Sequence, residues 1–411
     1  EKQYATAYAY WQQQLYIGGY RVYTSIDLEK QRWLQEAVNT GTEGFTGVNE
    51  EGIYELQASA VCIDNETGYV IAIVGGRQQE YIGYTLNRAY QSFRQPGSSI
   101  KPLIVYTPWF ERGLTPETIV MDEKTEDGPA NAGSYLGEIT VRTAVEKSKN
   151  TVAWNLFSEL TPEVGLAYLK KMNFRKIVNS DYVLPASLGG LTYGVSALEM
   201  ASAYATIENE GIFRNPTCII RITDSDGNEI IGNTITEKRI YTKEASRTMT
   251  NVLKGVLTNG TAKKYNLETA SAAGKTGTTN DKKDGWFVGY TSYYTTSVWV
   301  GYDMPKEIEE LSEKAYATVI WKNFMDKIHE NLPIVEIDPY PTPTNSPEPT
   351  PTIEVTPTPT EAPTSNIPSQ ENNEESTNTI DSNDNSAEQY RVTPPPDISW
   401  GNQYDPTEDP N

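Results

Sequence analysis

Histidine is nearly missing from this 411-residue chain: His329 is the only one. It lies late in a helical pattern, which sets aside histidine-dependent catalytic triads and metal sites built on two histidines. Two cysteines are too few for a disulfide framework. Cys62 and Cys218 each sit in a mostly apolar run, 58–63 and 217–222, and read as small buried hydrophobes, ahead of a disulfide or a catalytic thiol. No stretch approaches the roughly 18 to 20 apolar residues that cross a bilayer as a helix. Internal repeats are absent, no cofactor or metal is expected, and nucleic acid is not an expected partner of a chain with formal net charge −21.

Basic residues are also scarce at the end of the chain. From Asp338 onward there are 14 acidic residues against Arg391 alone, so this stretch carries −13 of the −21, and it holds 15 of the 25 prolines. Repeated Pro-Thr followed by Asn, Ser and Glu cannot bury enough apolar surface to offset ordering entropy. Residues 336–411 are therefore expected to be an extended, solvated spacer, with a wall-binding or partner-binding tail as the alternative.

What remains is patterned. Residues 1–19 form a polar, tyrosine-rich helix or connector ended by Gly18-Gly19, and 20–335 form the folded domain. Residues 20–26 have strand composition, Asp27 caps a helix to Val38, and strands 57–63 and 69–75 flank the turn-rich Asp64 to Gly68. A helix is expected from about Ser98 to Arg112, with Pro102 in its first turn and Gly113 as its stop. Helical segments follow at 141–147, 151–160 and 162–172, and Ser196 to Glu199 is a capping box opening a helix to about Glu208. A hairpin around Asp226-Gly227 spans 215–231 as an excursion from this helical part, before a helix at 243–257. A strand at Lys275, strands 285–290 and 295–302 read as alternating over a short turn, and a closing helix 315–332 with Val319, Ile320, Phe324 and Ile328 on one face complete the domain. Strands, helices, strands, helix is the order of an α+β domain in which strands from both ends pair in an antiparallel sheet around an inserted helical block.

Three short motifs carry the chemistry, in the order Ser98-x-x-Lys101, Ser148-x-Asn150 and Lys275-Thr276-Gly277-Thr278. Alone, the first reads as a helix cap, the second as a capping turn and the third as an edge strand with a turn. Together they describe a nucleophile site. A serine hydroxyl attacks only after its proton is removed, and Lys101, three residues on, is the candidate base. It must be neutral to act, so burial and a second cation, Lys275, are expected to lower its pKa. Ser148 can relay a proton at an amine, and the Asn150 amide can orient Lys101 or the substrate. Lys275 with Thr276 and Thr278 suits a carboxylate, and glycine at 97 and 277 lets backbone and substrate approach closely.

The ordered set resembles the active-site motifs of penicillin-binding proteins and class A β-lactamases. Further runs extend the likeness over about Tyr20 to Leu332: Asn87-Arg88-Ala89, Arg94-Gln95-Pro96-Gly97, Leu188 to Val195, Leu198 to Thr206, and Asp284 to Tyr290. These look like the transpeptidase domain of a class A penicillin-binding protein. The resemblance implies a β-lactamase/transpeptidase-like fold with a five-stranded antiparallel sheet, Ser98 as the acylated nucleophile and Lys101 as its base. Ser148 and Asn150 would be the second-motif pair, and Lys275, Thr276, Gly277 and Thr278 the carboxylate and oxyanion side. The implied reaction is peptidoglycan cross-linking, from a D-Ala-D-Ala donor stem to an acceptor amine, with β-lactam antibiotics acylating the same serine. It also implies work on the extracytoplasmic face of the bacterial membrane, and the tail composition a Gram-positive source. A glycosyltransferase domain and a membrane anchor usually precede this domain, so the chain reads as an excised ectodomain. A D,D-carboxypeptidase or β-lactamase-type hydrolase is the nearest alternative, although no Glu-x-x-Leu-Asn run lies between Asn150 and Lys275. A non-catalytic penicillin-recognising sensor is the other.

Overall fold

The computed structural model describes residues 2–78, 85–126, 128–232 and 235–337. The expected tail lies outside these residues from Asp338 onward. Five strands, β1 Leu56–Asp64, β2 Val70–Val74, β3 Ala273–Thr278, β4 Asp284–Tyr290 and β5 Tyr294–Tyr302, form an antiparallel sheet in the order β3-β4-β5-β1-β2. Strands from opposite ends of the domain meet at its centre, with β5 paired to β1 from Tyr294 opposite Asp64 to Tyr302 opposite Leu56.

The principal helices are α1 Lys2–Ile17, α2 Leu28–Gly41, α3 Val141–Glu146, α4 Asn150–Leu160, α5 Pro162–Lys171, α6 Ala197–Glu208, α7 Lys243–Thr258 and α8 Tyr316–His329. Successive side chains of a strand point to opposite faces. On β4, Phe287 packs on Trp321 of α8, with ring centroids 4.7 Å apart, while Tyr290 meets Tyr204 of α6 and lies 2.9 Å from the Thr250 hydroxyl of α7. Helices therefore cover both faces of the sheet. Every residue of β4 is buried as a result, and its sequence shows no polar-out alternation. The caps expected at Asp27 and Ser196 form: Asp27 accepts from the Glu29 and Lys30 amides, and Ser196 and Glu199 bond each other's backbone reciprocally.

Three differences from the sequence expectation have local causes. The strand near residue 20 (Arg21–Thr24) joins Ile219–Thr223 and Glu229–Ile231 in a separate three-stranded sheet, where it covers an edge of the expected hairpin. Two further pairs, Ile119–Asp122 with Gly137–Thr140 and Ile212–Arg214 with Glu237–Arg239, have strands too short to show a period. The single helix expected over 98–112 is a 3-10 turn (Gly97–Ile100), a π turn (Pro102–Tyr106) and an α turn (Thr107–Phe110). Pro102 and Pro108 each lack an N–H, which breaks the i to i−4 ladder. Thr107 instead sends both its amide and its hydroxyl to the Pro102 carbonyl.

Both cysteines are free, and full burial pushes the Cys62 thiol up to about 12, as suits a small hydrophobe. His329 is buried with both ring nitrogens engaged, by the Met325 carbonyl at 2.7 Å and the Thr291 hydroxyl at 2.9 Å. No described helix is long and apolar enough to cross a membrane.

The segment leading to Ser98 is tied to the sheet by Arg94, whose Nε donates to Asp284 at the start of β4 at 2.8 Å. The indole Nε1 of Trp299 donates to the same carboxylate oxygen at 2.9 Å. Both members of this pair are more than nine-tenths buried. Arg94→Met is expected to strand Asp284 and cost about 3–5 kcal/mol of unfolding free energy by urea titration. A loss below about 1 kcal/mol would contradict the anchoring role.

Candidate active site

Strand β3 is an edge of the sheet, and the turn bearing Ser98 packs against its last residues. The approach is backbone to backbone. A Cβ on Gly97, which holds φ +54°, would sit 2.6 Å from the Thr278 carbonyl oxygen, and one on Gly277 would sit 2.3 Å from that of Pro96. No side chain fits at either place. The turn is clamped from outside by Trp286 Nε1, which donates to the Gln95 carbonyl at 2.9 Å, and by the Tyr204 hydroxyl, which donates to the Ser99 carbonyl at 2.6 Å. Arg94 and Val195 exchange two backbone hydrogen bonds of 2.9 Å, which draws in the Leu188–Val195 segment. A cleft of about 660 Å³ results, lined by Ser98, Ser148, Asn150, Thr276, Gly277 and Thr278 among others. The three motifs are thus brought together.

The second motif turns between α3 and α4, and Ser148 takes φ +58°, a backbone conformation rare outside glycine and held only when the surroundings fix it. What fixes it was not legible in the motifs. Asp122, fully buried, forms an ion pair with Lys149 at 3.0 Å and accepts from the Thr151 hydroxyl (2.6 Å), the Asn131 amide (2.6 Å) and the Leu136 N–H (2.9 Å). Burial raises the Asp122 pKa, yet the bonds from Thr151, Asn131 and Lys149 outweigh it and hold the carboxyl below its usual value. Asn131 Oδ1 in turn accepts from the backbone N–H of Asn150 at 2.8 Å. The only sequence signal was an acid closing the apolar triplet Ile119-Val120-Met121.

Lys101 and Lys275 are both fully buried, and neither forms an ion pair with a described carboxylate. Lys101 Nζ donates to the carbonyls of Ser148 (3.0 Å) and Lys149 (3.2 Å) and to Asn150 Oδ1 (2.8 Å). Lys275 Nζ donates to Ser148 Oγ at 2.8 Å and to the Thr276 carbonyl at 3.1 Å. Burial drives the Lys101 pKa well below its ordinary value, and the nearby Lys275 charge drives it further, as the sequence reading expects. Burial alone brings Lys275 down to about 7. The Asn150 amide meets Lys101, as expected of an orienting group. Thr276 is engaged by the Thr261 hydroxyl at 2.8 Å, whereas Thr278 is exposed at the cleft mouth. The arrangement offers a hydroxyl, an amine able to stay neutral, a second amine balanced between its charged and neutral forms near neutral pH, and a hydroxyl in contact with that second amine.

Removing a neighbouring cation favours the charged form of the amine left behind. In Lys275→Met, the Lys101 titration followed by 13C NMR of lysine Cε should move to higher pH. An unchanged midpoint would show that the two amines are not coupled.

Residues 58–326 match the family model described as the penicillin binding protein transpeptidase domain. The chain is 34% identical over 309 residues to penicillin-binding protein 4 of Bacillus subtilis, covering 74% of this chain and 48% of that protein. It is 32% identical over 346 residues to penicillin-binding protein 1A of Clostridium perfringens, covering 78% and 51%. It thus spans about half the length of these relatives. Among solved structures, PonA1 of Mycobacterium tuberculosis in complex with penicillin V superimposes with a TM-score of 0.67 at 25% identity, covering 80% of this chain and 91% of that one. With its motifs gathered in one cleft beside a five-stranded antiparallel sheet, the chain belongs to the penicillin-binding protein transpeptidase domain family and is homologous to the class A penicillin-binding proteins.

Proposed function

We propose that residues 20–335 form a D,D-transpeptidase that cross-links peptidoglycan stem peptides through an acyl-enzyme on Ser98. The observation that carries this reading is the pair of buried, carboxylate-free lysines, one bonded to each polar group of the second motif. Lys101, neutral at rest, takes the Ser98 proton as Oγ bonds to the penultimate D-alanine carbonyl. The resulting ammonium has three N–H groups, and the carbonyls of Ser148 and Lys149 with Asn150 Oδ1 supply three acceptors. The cage therefore gives the ammonium formed during attack one more hydrogen bond than the neutral amine before it, which offsets part of the cost of charging a buried group as the barrier is crossed. The peptide C–N bond then breaks, and the leaving D-alanine amine takes a proton from Ser148 Oγ, which is resupplied by the Lys275 ammonium bonded to it. The terminal carboxylate lies toward Lys275, Thr276 and Thr278. An acceptor amine next attacks the Ser98 ester and gives up a proton through Ser148 Oγ to Lys275, while Lys101 returns its proton to Ser98 Oγ as the ester C–O bond breaks.

Transfer is favoured over hydrolysis because no Asp or Glu is among the described residues lining the cleft, so none is at hand to activate a deacylating water. The likeness to a structure that holds penicillin V supports β-lactams as acylating inhibitors. The same reading puts the domain on the extracytoplasmic side of a bacterial membrane, with residues 1–19 as its connector.

A fluorescent penicillin should label the protein covalently and fail to label Ser98→Ala; equal labelling would remove Ser98 from the site. Lys101→Ala should slow acylation by about 10²- to 10⁴-fold, the usual contribution of a general base. With a thioester donor and a D-amino acid acceptor, mass spectrometry should find the transfer product. Hydrolysed donor alone would identify a carboxypeptidase instead.

A further inference from the structure

A second cavity of about 600 Å³ adjoins the catalytic cleft and shares Pro129, Leu188, Thr279 and Asn280 with it. Thr279 and Asn280 directly follow β3, so a chain lying along that strand from Ser98 passes from one space into the other. The second space is lined by three aromatic residues, Phe93, Trp154 and Tyr193. Tyr193 keeps 56% of its surface exposed there, where a flat amphipathic ring can serve as a contact platform.

The charges in its wall are already matched. Arg94 is bound to Asp284 and Lys283 to Asp281, each at 2.8 Å. Arg175, 4.8 Å from the Phe93 centroid, is engaged by Glu199 at 3.4 Å. Lys176 differs: its half-buried side chain places Nζ 5.8 Å from the Phe93 centroid and 5.7 Å from that of Tyr193, and no described carboxylate pairs with it. Two ring faces hold this ammonium beside the cavity. The result is one uncommitted positive charge next to a platform contiguous with the catalytic cleft.

An anionic group on an extended peptide is the ligand that fits. On the transpeptidase reading, on which this inference rests, a donor stem with its D-Ala-D-Ala end at Ser98 must leave the cleft with its preceding residues. Those residues carry free carboxylates in unamidated stems. The geometry points to Lys176, framed by Phe93 and Tyr193, as a specificity-determining residue that reads a carboxylate of the donor stem upstream of D-Ala-D-Ala.

The test uses two penicillins whose acyl side chains have the length of a stem peptide and differ only in ending as a carboxylate or a carboxamide. Benzylpenicillin is the control, and acylation rates are followed by mass spectrometry at low ionic strength. Wild type should prefer the carboxylate about three- to fivefold, the range of a partly exposed ion pair. Lys176→Met should erase the preference and Lys176→Glu invert it, both with an unchanged benzylpenicillin rate. An unchanged ratio in Lys176→Met, or an equal loss with all three compounds, overturns the assignment. Failure of benzylpenicillin to acylate wild type would instead sink the Ser98 reading. In that case calorimetric binding of a carboxylate and carboxamide stem-peptide pair makes the same comparison without acylation, and equal affinities overturn the Lys176 role.

Discussion

The chemistry proposed for this domain depends on two lysine amines being kept out of water without a counter-ion. A buried lysine can stay charged only at a large solvation cost, so it lowers its pKa instead. Lys101 and Lys275 sit where the helical block meets the edge of the sheet, each bonded only to carbonyl, amide or hydroxyl oxygens among the described residues. Their mutual repulsion adds to desolvation at Lys101. One amine can then serve as a base near neutral pH, while the other is balanced near its own midpoint of about 7.

The same region contains two other buried cations that behave oppositely. Lys149 is matched by Asp122 and Arg94 by Asp284, both at 3.0 Å or less, and both are structural. One pair locks the second motif in its strained turn, and the other fixes the Ser98 segment to β4. Lys149 and Lys101, whose Nζ bonds the Lys149 carbonyl, therefore take contrasting roles, and the difference is the presence of a carboxylate. A buried pair whose partners are both in place adds rigidity, and removing one member leaves a charge with nowhere to go. Rigidity around the cleft matters to the proposed chemistry because reacting groups tolerate little displacement.

Much of the fold could be read in advance from local signals. Asp27, the Ser196–Glu199 box and Gly18-Gly19 marked boundaries that the structure keeps, because caps and turns are decided by neighbours in sequence. The pattern over 98–112 reads as one helix, but two prolines disrupt the ladder in a way that only packing resolves into 3-10, π and α turns. The strand at 21–24 was recognisable, but its partner was not. Pairing depends on which edge is free once the domain has closed.

The ordered motifs, by residue type alone, pointed to a serine, two lysines and a hydroxyl–amide pair for one site, and the lack of a histidine partner made lysine the base we propose. Tertiary structure decided which lysines are buried without a carboxylate partner among the described residues. Pairing with Asp122 or Asp284 is a contact between distant segments, and burial is a property of the assembled interface between β3, the Ser98 turn and the Ser148 loop. Neither can be computed from spacing along the chain. A lysine's pKa is set by the water and charge around it, and these exist only after the chain has folded.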